Sequence, residues 1–136
     1  MGDSQERLEL SEQEWQSRLT PEEYRVLRGK GTDPAFTGRY VHPGPDGTYR
    51  CVACGAELFA SDVQFDSGSG WPSFTEPANR ENVELHEDHS LGMTRIEVTC
   101  RRCGGHLGHL FPDGPGPTGE RWCINSTSLR LAPRDE

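Results

Sequence analysis

The sequence predicts a mainly β fold, fronted by two short helices and stapled by a four-cysteine metal site. Three observations carry this. Two capping signatures stand close together near the start. From Phe36 onward, apolar and polar residues alternate between clusters of Gly, Pro and Asp. Four of the five cysteines come as two Cys-x-x-Cys pairs. Hydrophobic residues make up 32% of the 136, below the roughly 45% of an ordinary soluble domain, while 16 Gly and 10 Pro supply turns. A chain this poor in apolar material needs a staple, and the cysteines are the obvious one.

The elements follow in order. Residues 1–10 are expected to be a disordered arm. Ser11 and Glu14 form a capping box that opens a short helix carrying Trp15 and Leu19. Thr20-Pro21-Glu22-Glu23 repeats the device: Thr20 is the cap, Pro21 takes the first helical position and Glu23 reaches back. Tyr24 and Leu27 complete that helix before Gly29 and Gly31 stop it. Helices this short do not persist alone, so they are expected to lie on the main body through Trp15, Leu19, Tyr24 and Leu27. Residues 38–42 and 48–52 flank Pro43-Gly44-Pro45-Asp46-Gly47 and read as a hairpin. Residues 83–87 and 93–100 form a second pair around Asp88-His89-Ser90, with Ile96 and Val98 alternating with Arg95, Glu97 and Thr99. A last strand over residues 121–131 closes the domain. The Gly/Pro-rich loops 66–72 and 113–119 are where a site should sit. The chain divides into an arm with helices (1–33), a β body (34–132) and a tail (133–136), one domain in all.

Charge and patterning exclude several classes. A net charge of −8 argues against a nucleic-acid phosphate backbone as partner. No stretch approaches the roughly 20 apolar residues that cross a membrane. The polar, acidic first ten residues read as neither signal nor transit peptide, and Glu6 stands where a myristoylation signal wants Ser or Thr. A cytoplasmic protein is therefore expected. No heptad or large apolar stripe is evident, so a monomer is expected too.

Cys51-Val-Ala-Cys54-Gly55 and Cys100-Arg-Arg-Cys103-Gly104 are two knuckles. Two intervening residues let both sulfurs of a pair face one ion, and the following Gly permits the tight turn. Together they complete a tetrahedral all-thiolate shell suited to zinc or iron. With no open position, one such ion per chain would be structural. Two disulfides or a redox-active pair are the competing readings; paired knuckles in a reducing compartment favour metal.

Cys123 stands alone in Arg121-Trp-Cys-Ile-Asn-Ser-Thr-Ser-Leu129. As a strand, this places Arg121, Cys123, Asn125 and Thr127 on one face and Trp122 and Ile124 on the other. Cationic and polar neighbours are expected to lower the thiol's pKa and populate the attacking thiolate, whereas a lone buried cysteine would be an inert small hydrophobe. Upstream, His106 and His109 bracket Gly108, so a turn would present both imidazoles together. Nucleophile, proton donors and polar orienter are what a cysteine-centred reaction needs. His42, His86 and His89 are expected to be solvated. Trp71, held between Gly70 and Pro72, either walls a pocket or anchors the core.

The set Cys51-x-x-Cys54, Gly70-Trp-Pro-Ser-Phe74, Cys100-x-x-Cys103, His106-Leu-Gly-His109 and Arg121-Trp-Cys-Ile-Asn125 closely resembles the R-type (B-class) peptide-methionine sulfoxide reductases. Gly31-Thr-Asp-Pro-Ala-Phe-Thr-Gly-Arg-Tyr40 and Asp113-Gly-Pro-Gly-Pro-Thr-Gly119 are similar to further family segments, and the likeness runs in order over most of the chain. It implies two antiparallel sheets with short N-terminal helices, and a structural zinc on Cys51, Cys54, Cys100 and Cys103. It also implies an oxidoreductase acting on protein or peptide methionine R-sulfoxide. Cys123 would attack the sulfoxide sulfur and become a sulfenic acid, a reversible oxidation state. His106, His109 and Asn125 would position and protonate the departing oxygen. Trp71 would pack on the substrate methyl, with Phe111 and Arg121 as further substrate-binding residues. Two departures stand out. Trp122 replaces a common Tyr, and Ser69 stands where many members carry a resolving cysteine. With no sixth cysteine, thioredoxin, glutaredoxin or a small thiol is expected to reduce Cys123 directly.

Two alternatives remain at this stage. A non-catalytic zinc-ribbon interaction module explains the paired cysteines but leaves Cys123 and its neighbours as coincidence. A cysteine acyl-transfer enzyme would need an oxyanion hole that no segment identifies.

Overall fold

The computed structural model describes residues 10–89, 92 and 94–133. The expected arm (but for Leu10) and the end of the expected tail lie outside these residues, as do Ser90, Leu91 and Met93 around the second hairpin's turn. Helix α1 spans Glu12–Arg18 and α2 spans Pro21–Leu27, both opened by the expected capping boxes. In α1, Ser11 Oγ accepts from the Glu14 amide at 3.2 Å while Glu14 Oε1 accepts from the Ser11 amide at 2.9 Å. These reciprocal contacts satisfy amides that the first helical turn leaves unpaired. Trp15 and Leu27 are buried, so tertiary packing supplies what helix length does not. No helix among the described residues is long and apolar enough to cross a membrane.

Two antiparallel sheets carry the rest. Strands β1 (Gly47–Cys51), β2 (Glu57–Ala60), β3 (Gln64–Phe65), β4 (Ser73–Phe74), β5 (Val83–Asp88), β6 (Arg95–Cys100), β7 (His106–Phe111), β8 (Arg121–Ile124) and β9 (Leu129–Pro133) sort into a three-stranded sheet, β2-β1-β9, and a six-stranded sheet, β3-β4-β8-β7-β6-β5. The apolar faces meet in a core of Tyr49, Leu58, Phe59, Phe74, Val98, Leu107, Trp122 and Ile124, joined by Trp15, Leu19 and Leu27 from the helices. Phe59 stacks on Phe74 with centroids 4.4 Å apart, and Tyr49 meets Phe74 edge-on at 5.3 Å. Each such side chain contributes about 1.5–3 kcal/mol by leaving water.

Three local expectations are corrected. Residues 38–42 are not a strand, because β1 already has β2 on one edge and β9 on the other. Side chains satisfy this segment's backbone instead: the Tyr40 amide donates to Ser126 Oγ and the Tyr40 carbonyl accepts from Gln64. The strand expected over residues 121–131 is two. β8 ends at Ile124, a 3-10 turn over Ser126–Ser128 lifts the chain out, and β9 joins the other sheet. Finally, His106 and His109 stand on a strand, β7, rather than on a turn.

Candidate active site

Both cysteine knuckles sit at strand ends. Cys51 closes β1 and Cys100 closes β6, so the cluster ties one sheet to the other. In each, the amide of the following Gly (Gly55, Gly104) donates back to the first cysteine's carbonyl, with φ values of 81° and 75°. Only glycine adopts such angles without cost. Cys51 and Cys103 sulfurs lie 3.7 Å apart, Cys54 and Cys100 sulfurs 3.5 Å apart, and all four lie within 4.8 Å of one another. A disulfide needs about 2.05 Å, whereas four thiolates about 2.3 Å from one ion would be separated by about 3.8 Å. The donor set fits a closed tetrahedral metal site. Mutual hydrogen bonding splits the four: Cys54 and Cys100 are drawn down toward thiolate, through Cys100 and Cys103 respectively, while Cys51 and Cys103 are held up, chiefly through Cys100.

The odd cysteine lies elsewhere. In the six-stranded sheet, Cys123 on β8 stands opposite Ser73 on β4 and His109 on β7. The row continues through Glu97 on β6 to His86 on β5. Directly opposed antiparallel residues have Cβ atoms about 5 Å apart, so thiol and imidazole share one face. His106 joins them through a bulge: Gly108 opposes Val98, but His106 opposes Thr99, leaving Leu107 extra and buried in the core. The two rings stand 5.5 Å apart, nearly edge-to-face.

Trp71, His109, Phe111, Cys123 and Asn125 line a single cavity of about 100 Å³, together with Thr32. His106 does not reach it; its ring is buried and lies 2.8 Å, through Nδ1, from Glu97 Oε2. Arg121 stands outside the cavity, in a depression shared with Ser69 and Asp113. Its guanidinium makes a forked pair with Asp113 (2.8 and 3.3 Å) and covers the Phe111 ring at 4.4 Å.

A SelR domain family model matches residues 19–133. A peptide methionine sulfoxide reductase MsrB of Methanosarcina mazei is 53% identical over 98% of this chain and 95% of its own length. MsrB proteins of Acinetobacter baylyi and Acinetobacter baumannii are 55% and 54% identical, covering 92% and 93% of this chain and 90% and 91% of their own. The chain belongs to the MsrB family.

Sequence reasoning passed over the acidic residues of this MsrB site. The buried Asp88 carboxylate holds His109 Nε2 at 2.8 Å, with Arg95 3.6 Å from the same oxygen. Glu97, also buried, takes His106 on one oxygen and Lys30 on the other, at 3.4 Å. Asp33 joins three parts of the site. Its amide donates to Asn125 Oδ1 (2.9 Å), its carbonyl accepts from Trp71 Nε1 (2.8 Å), and its carboxylate accepts from the amide and hydroxyl of Thr127 (3.0 and 2.6 Å). The Asn125 side-chain amide donates in turn to the Leu107 carbonyl at 3.1 Å. Alternation marks Glu97 as polar-facing, but only strand register reveals that this face is covered by the Lys30–Asp33 segment.

Electrostatics correct one further expectation. Burial pushes the Cys123 thiol above its ordinary pKa; the Arg121 charge and hydrogen bonds from Ser69 and Arg121 pull it down, but not far enough. Burial likewise lowers the pKa of His106, outweighing the attraction of Glu97. Burial thus disfavours the charged form of both the Cys123 thiol and the His106 ring. His42 and His89 are exposed, as expected, and His86 is half-exposed against Thr99.

Proposed function

We propose that this protein reduces methionine R-sulfoxide in peptides and oxidised proteins, with Cys123 as nucleophile. The observation that carries the reading is the cavity in which Cys123, its register partner His109 and the Trp71 indole converge. The activity named for relatives more than 50% identical supports it over a non-catalytic zinc ribbon or an acyl-transfer enzyme.

The sulfoxide enters with its methyl group against Trp71. Cys123 attacks the sulfoxide sulfur as thiolate, and the oxygen, protonated by His109, ends on Cys123 as a sulfenic acid. The substrate sulfur gains the electron pair and leaves as methionine. Protonation is required because sulfoxide oxygen is a poor leaving group. His106, packed against His109, and Asn125, which fixes the segment around Asp33, keep the cavity in register. Arg121 offsets part of the cost of forming the buried thiolate. Phe111, covered by Arg121, completes the apolar wall.

Five cysteines are present, and four are clustered away from Cys123. The sulfenic acid is therefore reduced by an external thiol, whether thioredoxin, glutaredoxin or a small molecule. The thiol forms a mixed disulfide with release of water, and a second thiol frees Cys123. The clustered four hold one structural Zn²⁺, whose bond lengths suit the sulfur spacing. Such unbridged thiols suit a reducing, cytoplasmic compartment, and the chain is read as a monomer.

The test is turnover of dabsylated methionine R-sulfoxide with dithiothreitol, with the S epimer and Cys123→Ser as controls. Reduction of the R epimer alone, abolished by the substitution, is expected. No turnover by folded, metal-loaded protein would sink the reading.

A further inference from the structure

Phe36 is 64% exposed, one of two large apolar side chains open to solvent among the described residues. The other, Leu85, lies on the edge strand β5. Phe36 also has φ +67°, a left-handed backbone that a bulky side chain rarely adopts. The fold accordingly tolerates backbone strain to hold an aromatic ring in water, and such outliers cluster at ligand clamps.

Its surroundings say which ligand. The Phe36 amide donates to the Gly70 carbonyl at 2.8 Å, and Thr37 bonds back to Pro34. A Cβ on Gly70 would lie 2.7 Å from Ala35 Cβ and 3.0 Å from the Phe36 ring, so this contact closes only because residue 70 is glycine. Gly70 precedes Trp71, whose indole lines the cavity and donates to Asp33 in the same loop as Phe36. The Phe36 ring thus lies against Gly70, one residue before the indole that lines the cavity. The cavity itself, about 100 Å³, holds the volume of roughly three water molecules. It accepts the sulfoxide end of one side chain and leaves the flanking residues outside, where the exposed Phe36 ring beside Gly70 is available to them.

We propose that Phe36 is a subsite for an apolar side chain next to the methionine sulfoxide of a polypeptide substrate, selecting peptides with hydrophobic flanks. The inference rests on the reductase reading above and adds the substrate's local chemistry to it.

The test compares Ac-Leu-Met(O)-Leu-NH2 with Ac-Ser-Met(O)-Ser-NH2, with N-acetylmethionine sulfoxide as reference. The proteins are wild type, Phe36→Asn and Phe36→Tyr. Asn is comfortable in the left-handed region, so Phe36→Asn removes the ring without adding strain. Wild type should favour the leucine peptide about fivefold in kcat/KM, mainly through KM, the scale of half-burying one leucine. Phe36→Asn should abolish the preference while its Tm stays level or rises by a few degrees, and Phe36→Tyr should keep it. A wild type without preference, or a Phe36→Asn that retains it, overturns the subsite. So does a Phe36→Asn that loses its preference together with several degrees of Tm, or a Phe36-dependent dimer in sedimentation. If wild type reduces N-acetylmethionine sulfoxide but has no peptide preference, only the subsite falls. If it reduces none of the three, the reductase reading falls and takes the subsite with it.

Discussion

The imidazole of His109 is tied through Nε2 to the buried Asp88 carboxylate at 2.8 Å, and this contact decides which ring nitrogen is left for the Cys123 side of the site. A carboxylate partner fixes the tautomer and orientation of a histidine. In the reaction proposed above, Asp88 is a positioning residue for His109.

Asp88→Asn is therefore expected to lower kcat about tenfold to a hundredfold, within the usual range for a misplaced general acid, with KM changed less than threefold. Steady-state kinetics on a peptide sulfoxide check this split, and near-UV circular dichroism checks the fold. A change in KM alone would place Asp88 in substrate binding instead.

The pH dependence of Cys123 follows from the direction of its shift. Its thiol is held above the ordinary value by burial, with Arg121 the main opposing influence. The thiolate is the reactive form, so alkylation by iodoacetamide should accelerate with rising pH, with a midpoint above that of a free cysteine. Removing the cation in Arg121→Met should move the midpoint further alkaline and slow alkylation at pH 7 about tenfold, the effect of one pKa unit. An unchanged midpoint would mean that Asp113 neutralises the Arg121 charge entirely.

Metal removal should cost more than any single side chain. The cysteine cluster joins the end of β1 to the end of β6, and Arg28, which caps the C-terminus of α2, donates to the Cys103 carbonyl at 2.7 Å while covering Trp15. Elemental analysis should find one zinc per chain. A strong chelator or Cys100→Ser should lower stability by at least about 5 kcal/mol, below the intrinsic binding energy of structural zinc sites because part of the core persists. Calorimetry measures the loss. A chelated protein that melts unchanged would show that the two sheets hold together without metal.

The parts of this fold that were legible in the sequence are those whose signals are local. The two capping boxes and the two knuckle glycines need only a few neighbouring residues to act. The cores of β5, β6 and β8 follow from alternation. Residues 38–42 misled because their alternation is indistinguishable from a strand's, and only the occupancy of both β1 edges forbids pairing. The break after Ile124 is equally non-local, since Asn125 and Ser126 are drawn out by Asp33 and Tyr40 from the far end of the chain. The carboxylates behind the histidines were hidden for the same reason: Asp88 and His109 are 21 residues apart and meet across the sheet.

The last prediction concerns Ser69. Its hydroxyl is close enough to Cys123 to draw the thiol's pKa down, and it lies in the loop between β3 and β4, accepting from Ser67 Oγ, which also meets Ser73 at the start of β4. A sulfur at this position would lie within reach of the Cys123 sulfur, and modest loop movement would bring the two to bonding distance. Ser69→Cys should therefore convert the cycle. After one equivalent of peptide sulfoxide without reductant, wild type should carry one added oxygen on Cys123. The variant should instead have lost two hydrogens, as the introduced thiol attacks the sulfenic acid and water leaves. Intact-protein and peptide mass spectrometry separate the two states. Thioredoxin-driven turnover should rise in the variant, because a disulfide is the form that a dithiol reductant resolves. An added oxygen persisting in Ser69→Cys would place the loop too far or too rigidly for resolution, and the single-cysteine cycle would then be enforced by geometry as well as by composition.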